Sequence, residues 1–320
     1  MTARRPGSRV SVSISLLFRF SFFCTLSFRT ATRSSAGRFS LLGAATWLAL
    51  QAAAHPAAAP ALPPITTPQL MSQLTTAIQN LKSLRCAADA SERIGSKYVK
   101  DHSVMKLTFN PLRVYLKNGK GVEVLYVTGQ NNGDAWVNPN AFPYVTLSLA
   151  PEGSLMRKGQ HHTVLQAGFG TIADLLEGSA SRADKSFNHS FRYAGDTTVQ
   201  GRPHYILRSD YPQFRYVAYK AGKNETPATV AAHFGCGEYR ILERNKLDVG
   251  DKLDEGQVLQ VPNSYGRRTL VVVDPKTFLP TVVAVYDDRG LFEKYDFSNV
   301  IANQPIPPAE FTKGYQGYHL

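Results

Sequence analysis

The residues of this chain that could do chemistry are few and scattered. His161 and His162 stand side by side at the start of an apolar segment and could ligate a metal, but no Cys, Asp or His follows at a ligand spacing on the same predicted helix face. Solvated or helix-capping histidines are therefore expected. Asp287 and Asp288 form an acidic pair, yet they occupy a predicted hairpin turn, where turn geometry alone favours aspartate.

The common catalytic sequence motifs are also missing. The chain contains no Gly-x-Ser-x-Gly, no His-Glu-x-x-His, no P-loop and no dinucleotide-binding fingerprint. The sequence therefore predicts a protein that is not an enzyme and has no catalytic residues, no metal and no cofactor.

The first 59 residues are typical of a leader rather than of a folded domain. They contain seven arginines and no Asp or Glu. The apolar run from Phe39 to Leu50, followed by the small residues Ala52 to Ala54 or Ala57 to Ala59, predicts a cleaved secretory signal peptide and a periplasmic location. A Ser- and Arg-rich transit peptide is the alternative, and the residues before the apolar run could also be an upstream extension. The run is shorter than the ~20 residues of a membrane-spanning helix.

The leader also explains most of the positive charge. The whole chain has 36 Lys and Arg against 24 Asp and Glu, a formal charge of +12. Without the seven leader arginines, 29 basic residues remain and the formal charge is +5. No stripe of Lys and Arg with interleaved aromatic residues remains, so nucleic-acid binding is not expected. Cys86 and Cys236 form no disulfide framework, and two buried thiols are favoured over a single bridge.

The remainder of the chain is dominated by strand patterns. Met105, Leu107 and Phe109 alternate with polar residues, and Val114 and Leu116 do so after the next turn, which predicts a β-meander. Further hairpin signals recur at roughly the 8–12-residue spacing of an antiparallel barrel or sandwich. Two segments have helical spacing instead. One runs from Leu70 to Leu84, with Thr67 as N-cap, and the other from Val164 to Leu176, ending at Gly178.

One segment departs from the strand rhythm. Tyr216 to Lys220 predicts a strand, Glu225 to Phe234 and Tyr239 to Asn245 predict two short helices, and Gly256 to Pro262 predicts a closing strand. This order resembles the LysM module, a small glycan-binding domain, and the segment Leu253 to Pro262 is the most specific part of the likeness. The family's usual Gly-Asp-Thr is Asn-Glu-Thr here. The resemblance implies binding of N-acetylglucosamine-containing chains such as peptidoglycan by two loops: Asn224, Glu225, Thr226, Pro227, Leu253, Asp254 and Glu255.

A second resemblance covers about residues 67–312. The segments Met105 to Tyr115, His162 to Leu176 and Asp274 to Pro280 resemble a bacterial envelope domain of unknown function related to the LolA and LolB lipoprotein carriers. The resemblance implies a half-open barrel whose helices cover an apolar cavity for a lipid or lipoprotein acyl chain, which gains about 0.8 kcal/mol per buried CH₂. The alternative is that the helices plug the cavity permanently. The residues expected to line it are Leu74, Ile78, Leu107, Phe109, Leu116, Leu165, Phe169 and Ile172.

Together these patterns predict an α+β fold. Residues 60–215 and 266–320 are expected to form an antiparallel open β-barrel of LolA-like type closed by helices, and residues 216–265 an inserted LysM-like module. The leading functional hypothesis is a monomeric, non-enzymatic envelope protein that binds or carries a hydrophobic ligand near peptidoglycan. The rival hypothesis is a structural or wall-anchoring protein in which the barrel is only a scaffold.

Overall fold

The computed structural model describes residues 62–181 and 191–320, so the predicted leader and its signal peptide lie outside the described residues. The described part contains a large antiparallel sheet, a separate strand pair and a few short helices, which confirms the predicted α+β class. The strands are β1 (Ser83–Ile94), β2 (Lys97–Thr108), β3 (Arg113–Asn118), β4 (Glu123–Val127), β5 (Ala135–Asn138), β6 (Leu147–Leu149), β7 (Phe191–Val199), β8 (Arg202–Asp210), β9 (Tyr216–Lys220), β10 (Val258–Pro262), β11 (Arg268–Val273), β12 (Pro280–Asp287) and β13 (Gly290–Ala302). The helices are α1 (Thr67–Gln79), α2 (Ser154–Arg157), α3 (Gly170–Ser181), α4 (Pro227–Phe234) and α5 (Glu238–Asn245).

The large sheet is open. Its eleven strands follow the order β6-β5-β4-β3-β2-β1-β13-β12-β11-β8-β7. Hairpin connections produce the run from β1 to β6, as the meander pattern predicts, whereas β1 also pairs with β13 from the far end of the described chain. The sheet therefore ends in two edge strands, β6 and β7, and does not close into a barrel. Register shifts interrupt four of its strand pairs, where an extra residue bends a sheet locally.

The two faces of the sheet are covered by different segments of the chain. Val114 faces α1 and α3 in the main hydrophobic core, and its neighbour Tyr115 faces the opposite way. On that opposite face, Ile306 and Phe311 from the segment after β13 pack with Tyr115, and the Tyr318 ring stacks on the Tyr115 ring at 3.7 Å between centroids. Strand alternation thus buries both faces here, one under helices and the other under the last described segment.

Helix α1 confirms the predicted apolar stripe but not its ends. Leu70, Leu74 and Ile78 are buried along one face. The N-cap is Thr66, not Thr67, because Thr66 shares a capping box with Gln69. The helix also ends at Gln79, so the prediction that it continues to Leu84 was wrong, and Leu84 belongs to β1. None of the described helices is long and apolar enough to cross a membrane.

The second predicted helix is broken. Val164–Gln166 forms a single 3₁₀ turn, and α3 begins only at Gly170. Between them Gly168 has a φ of +97°, a conformation that ends a helix and that L-residues rarely adopt, and a Cβ at this position would lie 3.4 Å from the Phe109 ring. The expected stop at Gly178 was also wrong, since α3 continues to Ser181.

The chain from β9 to β10 forms a βααβ unit with a core of its own. Strands β9 and β10 pair antiparallel, and helices α4 and α5 lie between them in the sequence. The unit's buried side chains include Val230, Ile241 and Leu259, and they form a cluster separate from the main core. Cys236 is buried in this cluster and Cys86 in the main core, with no disulfide between them, and burial raises the pKa of the Cys86 thiol to about 12.

Candidate functional site

The residues expected to line an apolar cavity lie together between the sheet and the helices, but they fill that space. Leu74, Leu107 and Phe169 are fully buried in one cluster. Of the other expected residues, Ile78 and Ile172 are buried in the same cluster, Phe109 and Leu116 are half-buried against it, and Leu165 is half-buried and lies outside it. In this conformation the apolar face is a packed core, and a ligand could enter only if a helix moved away.

Helix α1 is attached to the sheet mainly through its apolar stripe. Its first residue, Thr67, accepts a hydrogen bond at Oγ1 from the Tyr193 backbone N–H, at 2.9 Å. Just before the helix, the Pro63 carbonyl accepts from the Tyr205 hydroxyl, also at 2.9 Å. Both bonds hold the N-terminal end of α1, and Leu70, Leu74 and Ile78 pack along its buried face.

The βααβ unit brings its two predicted binding loops side by side. Because β9 and β10 are antiparallel, the loop that follows Lys220 adjoins the loop that precedes Val258. Two backbone hydrogen bonds join them: Ala221 N–H to the Gln257 carbonyl and Gly256 N–H to the Ala221 carbonyl, each 2.8 Å. The two loops therefore form one continuous surface at one end of the unit.

The seven residues expected to bind glycan divide into a supporting group and an exposed group. The Glu225 carboxylate accepts from Gly222 N–H at 2.7 Å and from the Tyr219 hydroxyl, so it holds its loop together. Thr226 is the N-cap of α4, Pro227 is buried in the first turn, and Leu253 is buried in the unit's core. Asn224, Asp254 and Glu255 are exposed, as is the capping residue Thr226.

A buried polar cluster lies where the βααβ unit meets the sheet. Glu293 of β13 accepts hydrogen bonds from His161 Nδ1 at 2.8 Å, His162 Nε2 at 3.2 Å and the Tyr265 hydroxyl at 2.6 Å. The expectation of solvated or capping histidines was wrong, because His161 is buried and His162 half-buried. Their partner Glu293 is far away in the sequence, and no local pattern indicates the pairing.

The charges of this cluster depend on one another. Both ring nitrogens of His161 face acceptors, since Nε2 lies 3.0 Å from the Arg93 carbonyl. Burial alone would raise the pKa of Glu293, but the charge of His162 and the hydrogen bonds from both histidines hold it well below its usual value. Burial would lower the pKa of His162, and Glu293 raises it above its ordinary value instead. Burial and the Glu293 charge raise the pKa of Tyr265 well above 10.

Arg240 connects α5 to the same junction. Its side chain is 1% exposed, and the guanidinium lies 3.7 Å from the centroid of the Phe292 ring. One of its nitrogens donates to the Tyr265 carbonyl, whereas Nε and the second terminal nitrogen have no hydrogen-bond partner. The guanidinium is thus held largely by aromatic faces. The βααβ unit therefore packs directly against the sheet.

Comparisons with known proteins agree with this description. Residues 82–226 match the family described as protein of unknown function DUF1571. A chitin elicitor-binding protein from rice, Oryza sativa subsp. japonica, is 45% identical over 47 residues, which are 15% of this chain and 13% of that protein. The match to a domain of unknown function confirms that part of the resemblance predicted from the sequence.

Several solved structures are similar in fold at low sequence identity. MucB of the Pseudomonas aeruginosa MucA/MucB complex has a TM-score of 0.36 and 14% identity, over 77% of this chain and 60% of that one. Lipoprotein LppX of Mycobacterium tuberculosis has a TM-score of 0.36 and 13% identity, over 75% and 97%. A LolA superfamily protein of Nitrosomonas europaea has a TM-score of 0.25 and 12% identity, over 79% and 100%.

Proposed function

We propose that this chain is a non-enzymatic protein of the bacterial envelope that binds an N-acetylglucosamine-containing glycan, peptidoglycan, through the paired loops of its βααβ unit. The observation that carries the proposal is the joining of the two loops by the Ala221 backbone, since Asn224, Asp254 and Glu255 are exposed in those loops. Amide and carboxylate groups can hydrogen-bond the acetamido and hydroxyl groups of such a glycan.

The supporting residues favour this proposal because they fix the loops before any ligand arrives. Glu225 ties its loop to Gly222 and Tyr219, and Thr226 caps α4 through the Thr229 N–H at 3.2 Å. In the second loop, the Asp254 N–H donates to the Gln257 side chain at 3.0 Å. A surface ordered in advance loses little conformational entropy when a ligand binds, so a few exposed polar groups can suffice.

The rice relative gives independent support. Its name states that it binds a chitin elicitor, and chitin is a polymer of N-acetylglucosamine. Such a match is what a shared glycan-binding module within otherwise different proteins would produce.

The proposal is tested by sedimentation of the full-length protein with insoluble peptidoglycan and, separately, with chitin. We expect the protein to sediment with peptidoglycan, and Asn224→Ala and Asp254→Ala each to weaken binding by about two- to tenfold, which is the effect of one lost hydrogen bond of about 0.5–1.5 kcal/mol. The matched control is Glu152→Ala, which removes an exposed carboxylate far from the loops in sequence. Failure to sediment with either polymer, or equal binding by all variants, would contradict the proposal.

A second candidate function is carriage of a lipid or lipoprotein acyl chain on the helix-covered face of the sheet. It is supported by the apolar cluster between α1, α3 and the sheet, which includes Leu74, Leu107 and Phe169. Displacing α1 would expose the face around Leu107 and Phe169 to an acyl chain. Native mass spectrometry of protein purified from the envelope fraction should then reveal a bound lipid, and an empty protein would count against carriage.

A further inference from the structure

A pocket at one end of the large sheet has no role in either function proposed above. It lies between the β7–β8 turn, the β11–β12 turn and the last part of β13, and it encloses about 450 Å³, including the part open to solvent. Its lining combines a histidine, a carboxylate and a guanidinium with an apolar wall that includes Phe297, Leu279 and Pro280.

His204 presents an unused acceptor to this pocket. Its side chain is fully buried, and Nδ1 lies 2.9 Å from the Arg202 carbonyl. Because a carbonyl only accepts hydrogen bonds, Nδ1 carries a proton, and Nε2 is therefore the ring nitrogen that can offer a lone pair. Nε2 has no hydrogen-bond partner, and the nearest carboxylate oxygen, Asp274 Oδ2, is 3.7 Å away. A buried polar atom left unpaired is costly, so a ligand donor at this position would be stabilising.

Asp274 supplies a second acceptor in a fixed orientation. Its Oδ1 accepts from the backbone N–H groups of Lys276, at 2.8 Å, and Thr277, at 3.0 Å, which orients the carboxylate. Its Oδ2 lies 3.6 Å from Arg202 Nη1 and so remains open to a further donor. Burial would raise the pKa of Asp274, but the hydrogen bonds from these N–H groups and the Arg202 charge lower it below its usual value, so the group is a carboxylate at neutral pH.

The charge balance of the pocket selects the class of ligand. The Arg202 guanidinium offsets the Asp274 charge, so neither a cation nor an anion gains a net attraction. Two acceptors 3.7 Å apart beside a guanidinium donor match adjacent hydroxyl groups, which can both donate and accept. The apolar wall can pack against the C–H face of a sugar ring, as aromatic and aliphatic groups do at ligand sites.

We propose that this pocket binds a small polyhydroxylated molecule, such as a single sugar unit, with hydroxyls donating to His204 Nε2 and Asp274 Oδ2 and accepting from Arg202. This site is independent of the proposed glycan surface on the βααβ unit, since it lies on β8, β13 and the β11–β12 turn.

The test is saturation-transfer NMR on the full-length protein with D-glucose and, separately, N-acetyl-D-glucosamine, with inorganic phosphate as a charged comparison followed by protein chemical shifts. Arg202→Ala is the main test variant. The Arg202 side chain is 59% exposed, so we expect its removal to leave the fold intact. Arg192→Ala is the matched control, an arginine on neighbouring β7 with a similarly exposed side chain outside the pocket. Asp274→Asn replaces the open acceptor with a donor. Asn224→Ala separates this site from the βααβ loops.

We expect saturation transfer to D-glucose, with a fall of at least fivefold in Arg202→Ala and Asp274→Asn and no change in Arg192→Ala. Asn224→Ala should lower only the transfer to N-acetyl-D-glucosamine that arises at the βααβ loops. The ¹⁵N resonance of His204 Nε2 should also move on sugar addition. Absence of transfer to both sugars, transfer to D-glucose that survives both pocket variants, or a response to phosphate alone would overturn the proposal. So would a free protein in which Nε2 of His204 is protonated. Sedimentation with peptidoglycan is unaffected by these outcomes, so the two proposals fail separately.

Discussion

Replacing Glu293 by glutamine should destabilise the junction between the βααβ unit and the sheet more than any surface change. The side chain keeps its size but loses its charge, while three donors, from His161, His162 and Tyr265, still point at it. A hydrogen bond to a charged group contributes about 1.5–3 kcal/mol, and removing one partner of a buried charged pair costs about 3–5 kcal/mol. We therefore expect a loss of about 3–5 kcal/mol in the free energy of unfolding at pH 6.

The stability that the Glu293 cluster contributes should depend on pH. Because the pKa of Glu293 is lowered in the fold, its contribution is present above the unfolded value of about 4.3 and is lost as the pH falls through the folded pKa. Because the pKa of His162 is raised, its contribution is present below about 6.5 and is lost as the pH rises through the folded pKa. The cluster should therefore stabilise the fold most between about pH 4.5 and 6.5. Above that range, its contribution to the free energy of unfolding should fall by at most about 1.4 kcal/mol per pH unit for each histidine that titrates.

The measurement is urea unfolding of the wild type, Glu293→Gln and the control Glu152→Gln at intervals from pH 4.5 to 9. The wild type and the control should lose stability together as the pH rises above 6.5, and Glu293→Gln should be less stable at pH 6 with a flatter profile. Parallel pH profiles for all three proteins would refute the coupling of Glu293 to the histidines. A cost below 1 kcal/mol at pH 6 would refute the assigned hydrogen bonds.

Three further changes test other parts of the structure. Leu74→Ala should cost about 2–5 kcal/mol in urea unfolding because it opens a cavity in a fully buried site, whereas Leu155→Ala, 62% exposed, should change stability by less than about 0.5 kcal/mol. Glu310→Gln should remove stability at neutral pH but little at pH 2, since Arg85 and Lys106 lower the pKa of Glu310 to about 2 and its contribution is lost as the pH falls through that value. Thr226→Ala should cost about 1 kcal/mol through loss of the α4 N-cap, and circular dichroism during thermal unfolding should show a lower midpoint.

Features with a local cause were predicted correctly from the sequence. The stripe of Leu70, Leu74 and Ile78 on α1 follows from helical spacing, and the meander follows from alternation and Asn-Gly turns. The βααβ order was also readable, because Thr226 and Pro227 mark the start of α4 and Gly235, with a φ of +57°, marks its end. In each case a short segment carries enough information to choose its own conformation.

Features set by distant contacts could not be predicted. Leu84 continues the helical spacing of α1, yet its strand register opposite Leu107 and Ala302 decides its conformation. Gly168 is a weak helix former, so the sequence indicates a possible break there. The nearby Phe109 ring, which is distant in the sequence, helps to set where the helix is interrupted. Neither the pairing of Glu293 with His161 nor the approach of His204 to Asp274 has a local sequence pattern. In each pair the two residues lie far apart in the sequence, and the folding of the sheet brings them together.

The pairing of β1 with β13 has a consequence for how the molecule is made. Leu84 pairs with Ala302 and Glu92 with Glu293, so the middle of the sheet joins segments from opposite ends of the described chain. During synthesis β1 to β6 can pair as each hairpin emerges, but β1 remains an edge until residue 302 is available. An edge strand exposes unpaired N–H and C=O groups to other chains. The nascent protein is therefore most vulnerable to misassembly along β1, and a chain interrupted before β13 would present that edge permanently.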